Sequence, residues 1–389
     1  MICSSNERGD RVASKRNGVI ELMRFLMSLF VVGYHTRLAA DYGGNSLFEY
    51  GYFAVEFFFV LSGFLLAGSL ERAYASEGNI FLDTGKFMWK KVKALLPYHL
   101  TAVVLMIAVL GAFDAAFLGE RLASGGWTGI FLVQSFVVWT TCEGIVMQEW
   151  YLSTMLLVML IVYPLSRLLA KKIKKRVFIP VVLLCLLGVI AIAVGFGTNW
   201  QFAWNFSVDL RGFGEMCLGM MLFYLSRWMK GKEFSRGADM ALAVAEGACY
   251  VVAFVLMCLP FDIIGTIGIP VVILLSAFAV TVSFSGHGIP SPQGKLGSFF
   301  CLLGAVSLPL YILHPVVTEL ATRAFGTLPA AANVIICFLI SFALTAAVYA
   351  AYKGITRAAA KRKTPPAPPA EQPPAAADVS DETATSPEQ

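Results

Sequence analysis

Charge is scarce in this sequence. Only 14% of its 389 residues are Asp, Glu, Lys or Arg, against 58% hydrophobic residues, and the mean hydropathy is positive, a balance that soluble domains rarely show. The 30 Lys and Arg outnumber the 25 Asp and Glu by a net charge of only +5. They lie scattered in short connecting segments instead of on one face, which argues against a nucleic-acid partner. None of the eight cysteines forms a CxxC pair or stands beside a His at metal-ligand spacing, so no metal site is expected and the cysteines read as small core residues. No small-residue cleavage site follows the first apolar run, which therefore reads as a retained span and not as a secretory signal. No internal repeat is evident, so the inverted-repeat signature of many transporters is missing. No stretch reads as a soluble catalytic domain.

Long apolar runs are what the chain does have. Windows of about 20 residues mark ten candidate spans, approximately 18–37, 51–69, 95–116, 149–169, 177–196, 206–226, 238–258, 262–284, 297–318 and 331–352. The expected fold is an all-α membrane protein, a polytopic bundle of about ten transmembrane helices. Of the 30 basic residues, 25 fall in segments on the side of the N-terminus, and only Arg37, Arg121 and Arg323 fall in the opposite loops. That bias places both termini in the cytoplasm. Residues 1–16 form a short cytoplasmic segment, 17–353 the membrane domain, and 354–389 a Pro- and Ala-rich tail with no apolar periodicity, expected to be disordered. Between about 117 and 148, "GGWTGIFLVQSFVVW" is apolar but too short to cross and reads as a re-entrant or interfacial piece.

Against this apolar background the polar residues inside spans stand out. Arg24 and His35 are 11 positions apart, about three turns plus 20°, so both project from one face of the first span, separated by about 16 Å. Arg24 either snorkels to headgroups or faces a path inside the bundle. Glu56, near the outer end of the second span, lies at the depth expected for His35, where a carboxylate could orient the imidazole as a general base. The following Ser62, Gly63 and Phe64 read as a small-residue packing site. Lys90, Lys91 and Lys93, placed just before the third span, read either as positive-inside anchors or as a docking patch for phosphates.

Trp150 and Tyr151 open the fourth span as an aromatic belt or a sugar-stacking platform. Arg211 and Glu215 stand at i, i+4 spacing and can neutralise one another on a helix face. Tyr311 and His314 lie near the outer end of the ninth span, where Pro309 and Pro315 imply a broken or kinked helix. His35, Glu56, Arg211 and His314 converge at comparable predicted depth, the pattern expected of a site. His99 and His287 are placed toward the cytoplasmic face with no role, and Glu246 is buried without an assigned partner.

In their order, Arg24-x10-His35, "FFFVLSGF" at 57–64, the basic run before Pro97, "WYLSTM" opening the fourth span and "YILHP" in the ninth resemble the acyltransferase 3 family of multi-spanning membrane O-acyltransferases. The resemblance covers roughly residues 17 to 353. Many members have "WSLSVE" where this chain has "WYLSTM", so Met155 stands in place of their Glu. The resemblance implies transfer of an acyl group, commonly acetyl, from cytoplasmic acyl-CoA to hydroxyls of extracytoplasmic sugars or similar acceptors, with Arg24 and His35 essential.

On that reading the enzyme sits in a bacterial plasma membrane as a multi-pass protein with no permanently bound cofactor. Acetyl-CoA serves as donor substrate held by Arg24, Lys90, Lys91 and Lys93, and His35 acts as base with Glu56. Trp150, Tyr151, Arg211, Glu215, Tyr311 and His314 support a glycan or glycolipid acceptor. The alternative is a secondary transporter with a relay of Arg24, Glu56, Arg211 and Glu215; a scaffold using the Pro-rich tail is a third class.

Overall fold

The computed structural model describes residues 16–39, 47–74, 78–136, 144–172, 181–188, 190, 204–259, 262–324 and 328–363. Among these residues every regular element is helical. The chain divides into two compact units, Met1–Tyr349 and Ala350–Gln389. The described part of the second unit continues the last helix, where Thr356 Oγ1 donates back to the Tyr352 carbonyl. The rest of the tail, the first 15 residues and most of the span expected at 177–196 lie outside the described residues.

In chain order the helices are α1 (Gly18–Ala39), α2 (Ala54–Tyr74), α3 (Ile80–Phe113), the short α4 (Ala115–Arg121) and α5 (Trp127–Ile130), then α6 (Trp150–Lys172), α7 (Trp204–Lys230), α8 (Arg236–Cys258), α9 (Asp262–Ser285), α10 (Gly294–Ala324) and α11 (Ala330–Lys363). Helix is the form in which an apolar segment satisfies its own backbone polar groups away from water. Side chains close the exposed starts. Asn17 Oδ1 accepts the Val19 and Ile20 amides, while its Nδ2 donates to the Ser283 carbonyl on α9 at 2.7 Å. Asn79 caps α3 and Ser235 caps α8 in the same way.

Eight helices are long and apolar enough to cross a membrane among the described residues. The ninth long helix, α7, has 27 residues but carries Asp209, Arg211 and Glu215 within two turns, which lowers its hydropathy. The largest displacement from expectation is at α3, which starts at Ile80 instead of near residue 95. Its 34 residues span about 51 Å, more than a hydrocarbon core of about 30 Å. The lysines had concealed its first turns: Lys90, Lys91 and Lys93 lie within the helix, not in a loop before it.

Glycines set a close approach where α2 meets α7. A Cβ at Gly63 would overlap the Met216 carbonyl oxygen, and one at Gly219 would overlap the Val60 carbonyl oxygen. The two backbones therefore touch twice, each glycine admitting the other helix.

Segment 115–136 folds into short helical turns tucked against the bundle, with Thr128, Gln134 and Ser135 buried. Asp114 opens it, accepting from the Phe117 amide at 3.0 Å and from Arg323 Nη1 at 3.2 Å. These bonds, the amide foremost, hold the Asp114 carboxyl below its ordinary range.

Candidate functional site

The rings of His35 on α1 and His314 on α10 lie with centroids 5.3 Å apart and planes tilted by 36°. His314 is fully buried, and the cause of its orientation lies one residue along. Proline has no N–H, so Pro315 cannot donate to the carbonyl four residues back, that of Tyr311. His314 Nδ1 supplies the missing donor at 2.8 Å, with the Leu310 carbonyl at 3.3 Å. A carbonyl only accepts, so Nδ1 carries a proton, and in the neutral imidazole Nε2 then keeps its lone pair. That Nε2 is buried with no hydrogen-bond partner among the described residues. The break expected at Pro309 and Pro315 does not occur: α10 runs through both, because a side chain replaces the lost backbone donor at Pro315.

The carboxylate expected to orient His35 is engaged elsewhere. Glu56, fully buried on α2, lies 3.2 Å from Arg211 Nη2 on α7, and Glu215 lies 3.6 Å from Arg211 Nε. The i, i+4 spacing brought the second pair together; the first needed the α2 to α7 approach through Gly63 and Gly219. The Arg211 guanidinium also stands over the Trp150 ring at 5.9 Å. Tyr52 joins the two clusters, its ring 5.0 Å from that of Tyr34 beside His35 and within electrostatic reach of Arg211 and Glu56.

Tyr151 is no belt residue or exposed platform. It is buried, its hydroxyl 3.0 Å from Ser62 Oγ and donating to the Phe58 carbonyl at 3.2 Å. Tyr311 is buried as well and donates to the Gln148 carbonyl at 2.7 Å. Of the four aromatic and imidazole groups proposed for acceptor contact, Trp150 alone is half-open.

At the other end of α1, Arg24 Nη1 donates to Glu21 Oε2 at 2.8 Å, and Arg16 Nε lies 3.3 Å from Glu21 Oε1. Lys91, half-buried with its ammonium 5.4 Å from the Phe87 ring, is within electrostatic reach of Lys90, Arg72 and Arg24. Four cations from three helices thus share one end of the bundle. Lys90 and Lys93 are exposed.

Several buried polar groups escaped the sequence. Glu21 reads as a first-turn acid of a span, yet it lies between two arginines. His99, placed toward the cytoplasmic face without a role, forms a fully buried pair with Glu149, Nδ1 to Oε2 at 2.8 Å, while Nε2 faces the Ile130 carbonyl at 2.9 Å. The early start of α3 moves His99 well along that helix, so it meets the start of α6. Asp209 accepts from Thr154 Oγ1 at 2.6 Å, and Ser135 Oγ lies 2.8 Å from the same hydroxyl. Glu246 accepts from Ser283 Oγ and from the Ile289 amide, a structural clamp between α8 and α9.

No curated protein and no solved structure matches the chain. A family model described as an acyltransferase domain matches residues 17–352, which takes in the first helix, α11 as far as Tyr352 and, Arg16 apart, every cluster above. The chain belongs to the acyltransferase 3 family and is a multi-helix membrane acyltransferase.

Proposed function

We propose that the protein moves an acyl group, acetyl as the first case to test, from acyl-CoA to a hydroxyl of an extracytoplasmic carbohydrate, with His35 as general base. The observation that carries this reading is the pairing of His35 with His314, on the face of α1 that also bears Arg24 about 16 Å away. In a bacterial plasma membrane with both termini cytoplasmic, the cation cluster of Arg24, Arg72, Lys90 and Lys91 opens toward the donor's phosphates. Lys93 adds charge at that entrance. The acyl end of the donor reaches the two imidazoles along α1.

The acceptor hydroxyl sits against His35 and donates its hydrogen to that imidazole as its oxygen attacks the thioester carbonyl carbon. The carbon–sulfur bond then breaks, and the CoA thiolate leaves and takes up the proton. His314 Nε2, locked as an acceptor, receives a hydrogen bond from an acceptor hydroxyl and fixes the sugar beside His35. Trp150 and Arg211 supply an aromatic face and a cationic fork for the rest of the acceptor, held by Glu56 and Glu215.

A positioned base contributes about 10²- to 10⁴-fold. Purified His35→Ala is expected to lose acetyl transfer by that factor while eluting as a folded protein, and wild-type activity in that variant would overturn the assignment. Incubation with radioactive acetyl-CoA and no acceptor distinguishes direct attack from an acyl-His35 intermediate. Membership of an acyltransferase family favours this reading over the transporter, which requires substrate counterflow in proteoliposomes without a covalent product.

A further inference from the structure

We infer that Glu21 is a positioning residue that holds Arg24 in place for the donor, and that Gly304 is the notch which seats it. The inference rests on the donor reading of Arg24 given above. Glu21 is buried although it is an acid near the start of a span. Its carboxylate meets Arg24 on one oxygen and Arg16 on the other. It also lies flat against α10: a Cβ added at Gly304 would overlap Glu21 Oε2 and crowd its Cβ and Cδ. Any other residue at position 304 would therefore expel the carboxylate.

The seat matters because of what Arg24 does without it. A long basic side chain near the end of a span extends along the helix toward headgroup oxygens. In the structure Arg24 is turned instead to Glu21, close enough to the bundle interior to act electrostatically on Tyr151 and on Lys91. Glu21 is confined, since α10 backs the acid at Gly304. Asn17 fixes the turn below it, capping Val19 and Ile20 and bonding to α9. The guanidinium keeps its remaining donors for an anion, while one edge is anchored.

Charge alone gives the opposite expectation. Removing the acid between Arg16 and Arg24 raises the local positive potential and strengthens anion binding. Positioning weakens it, because the guanidinium leaves the site. The sign of the change therefore identifies the role.

The test measures KM for acetyl-CoA and kcat in the purified full-length protein, with thermal midpoints recorded in the same detergent. Glu21→Gln and Glu21→Ala are expected to raise KM for acetyl-CoA about tenfold, the size expected for losing one charge-assisted hydrogen bond, with kcat within about twofold. Gly304→Ala is expected to match Glu21→Ala. In a Glu21→Ala background Gly304→Ala is expected to cost less than it does alone, because the carboxylate it displaces is gone and only the contact with the Cβ at position 21 remains. An unchanged or lowered KM in Glu21→Gln overturns the inference, as does an equal cost of Gly304→Ala in both backgrounds. Arg24→Ala separates the two levels: if it leaves KM for acetyl-CoA unchanged, the donor reading falls and the role of Glu21 with it. If it raises KM while Glu21→Gln does not, only the role of Glu21 falls. Should Gly304→Ala fail to fold, the Glu21→Gln result alone decides.

Discussion

His314 is held by the residue that follows it. Pro315 withholds an amide from the Tyr311 carbonyl, and His314 Nδ1 takes that place at 2.8 Å, leaving Nε2 as the acceptor near His35. A histidine so fixed makes a definite chemical prediction, since its role depends on one nitrogen.

His314→Ala is expected to lower kcat for acetyl transfer by about 10²-fold, within the span of a lost catalytic contact. The double variant with His35→Ala is expected to be no worse than His35→Ala alone, as for residues that act as a unit. Single-turnover rates with saturating donor check this, and multiplicative losses would separate the two residues.

Pro315→Ala restores the backbone N–H and returns the Tyr311 carbonyl to the helix. The thermal midpoint is expected to hold or rise while kcat falls roughly tenfold, because His314 loses the bond that fixes its tautomer. Parallel melting and rate measurements on one preparation suffice. A variant with full activity would show that the tautomer needs no proline.

Arg211→Ala strands two buried carboxyl groups, and removing one partner of a buried pair costs about 3 to 5 kcal/mol. A sharp drop in folded protein recovered from membranes is expected. Glu56→Gln leaves Arg211 with Glu215 and is expected to cost less than half as much. Denaturation midpoints of the two variants in one detergent test the order, and a reversed order would show that Arg211 is not the keystone of the cluster.

Gly63→Ala and Gly219→Ala each drive a methyl into a facing carbonyl. Either is expected to destabilise the fold by several kcal/mol, since overpacking costs about 1 to 3 kcal/mol even where neighbours are side chains that can move. Glu56 and Arg211 lie two turns along the same helices, so the ion pair opens with the gap. Protease sensitivity of the solubilised protein reads both effects, and a wild-type pattern would mean that the helices part without cost.

Much of the architecture was legible because hydropathy reports segments directly: α1, α2, α6 and α8 begin and end close to their expected limits. The pairing of Arg211 with Glu215 was legible too, since helical spacing is local. Partners across helices were not. Glu56 has no sequence signal that chooses Arg211 over His35, because both lie at similar depth and only the backbone approach at Gly63 decides. The pairing of His99 with Glu149 has no sequence signal for a related reason: the polar face of Lys86, Lys90 and Lys93 hides the first turns of α3, whose start at Ile80 sets His99 well along the helix. Tyr151 looked like a belt aromatic because position in a span says nothing about which side faces protein. The proline effect at His314 is written in "YILHP", but the letters alone show a missing donor and not which neighbour replaces it.

The double contact between α2 and α7 has a consequence for anyone surveying variants of this enzyme by activity alone. Gly63 and Gly219 touch no reactant, yet a selection that scores only product will rank them beside His35 as intolerant of change. Telling the two kinds apart requires weighing protein as well as product: a Gly63 or Gly219 variant is expected to vanish from the membrane, whereas a His35 variant is expected to stay there without activity.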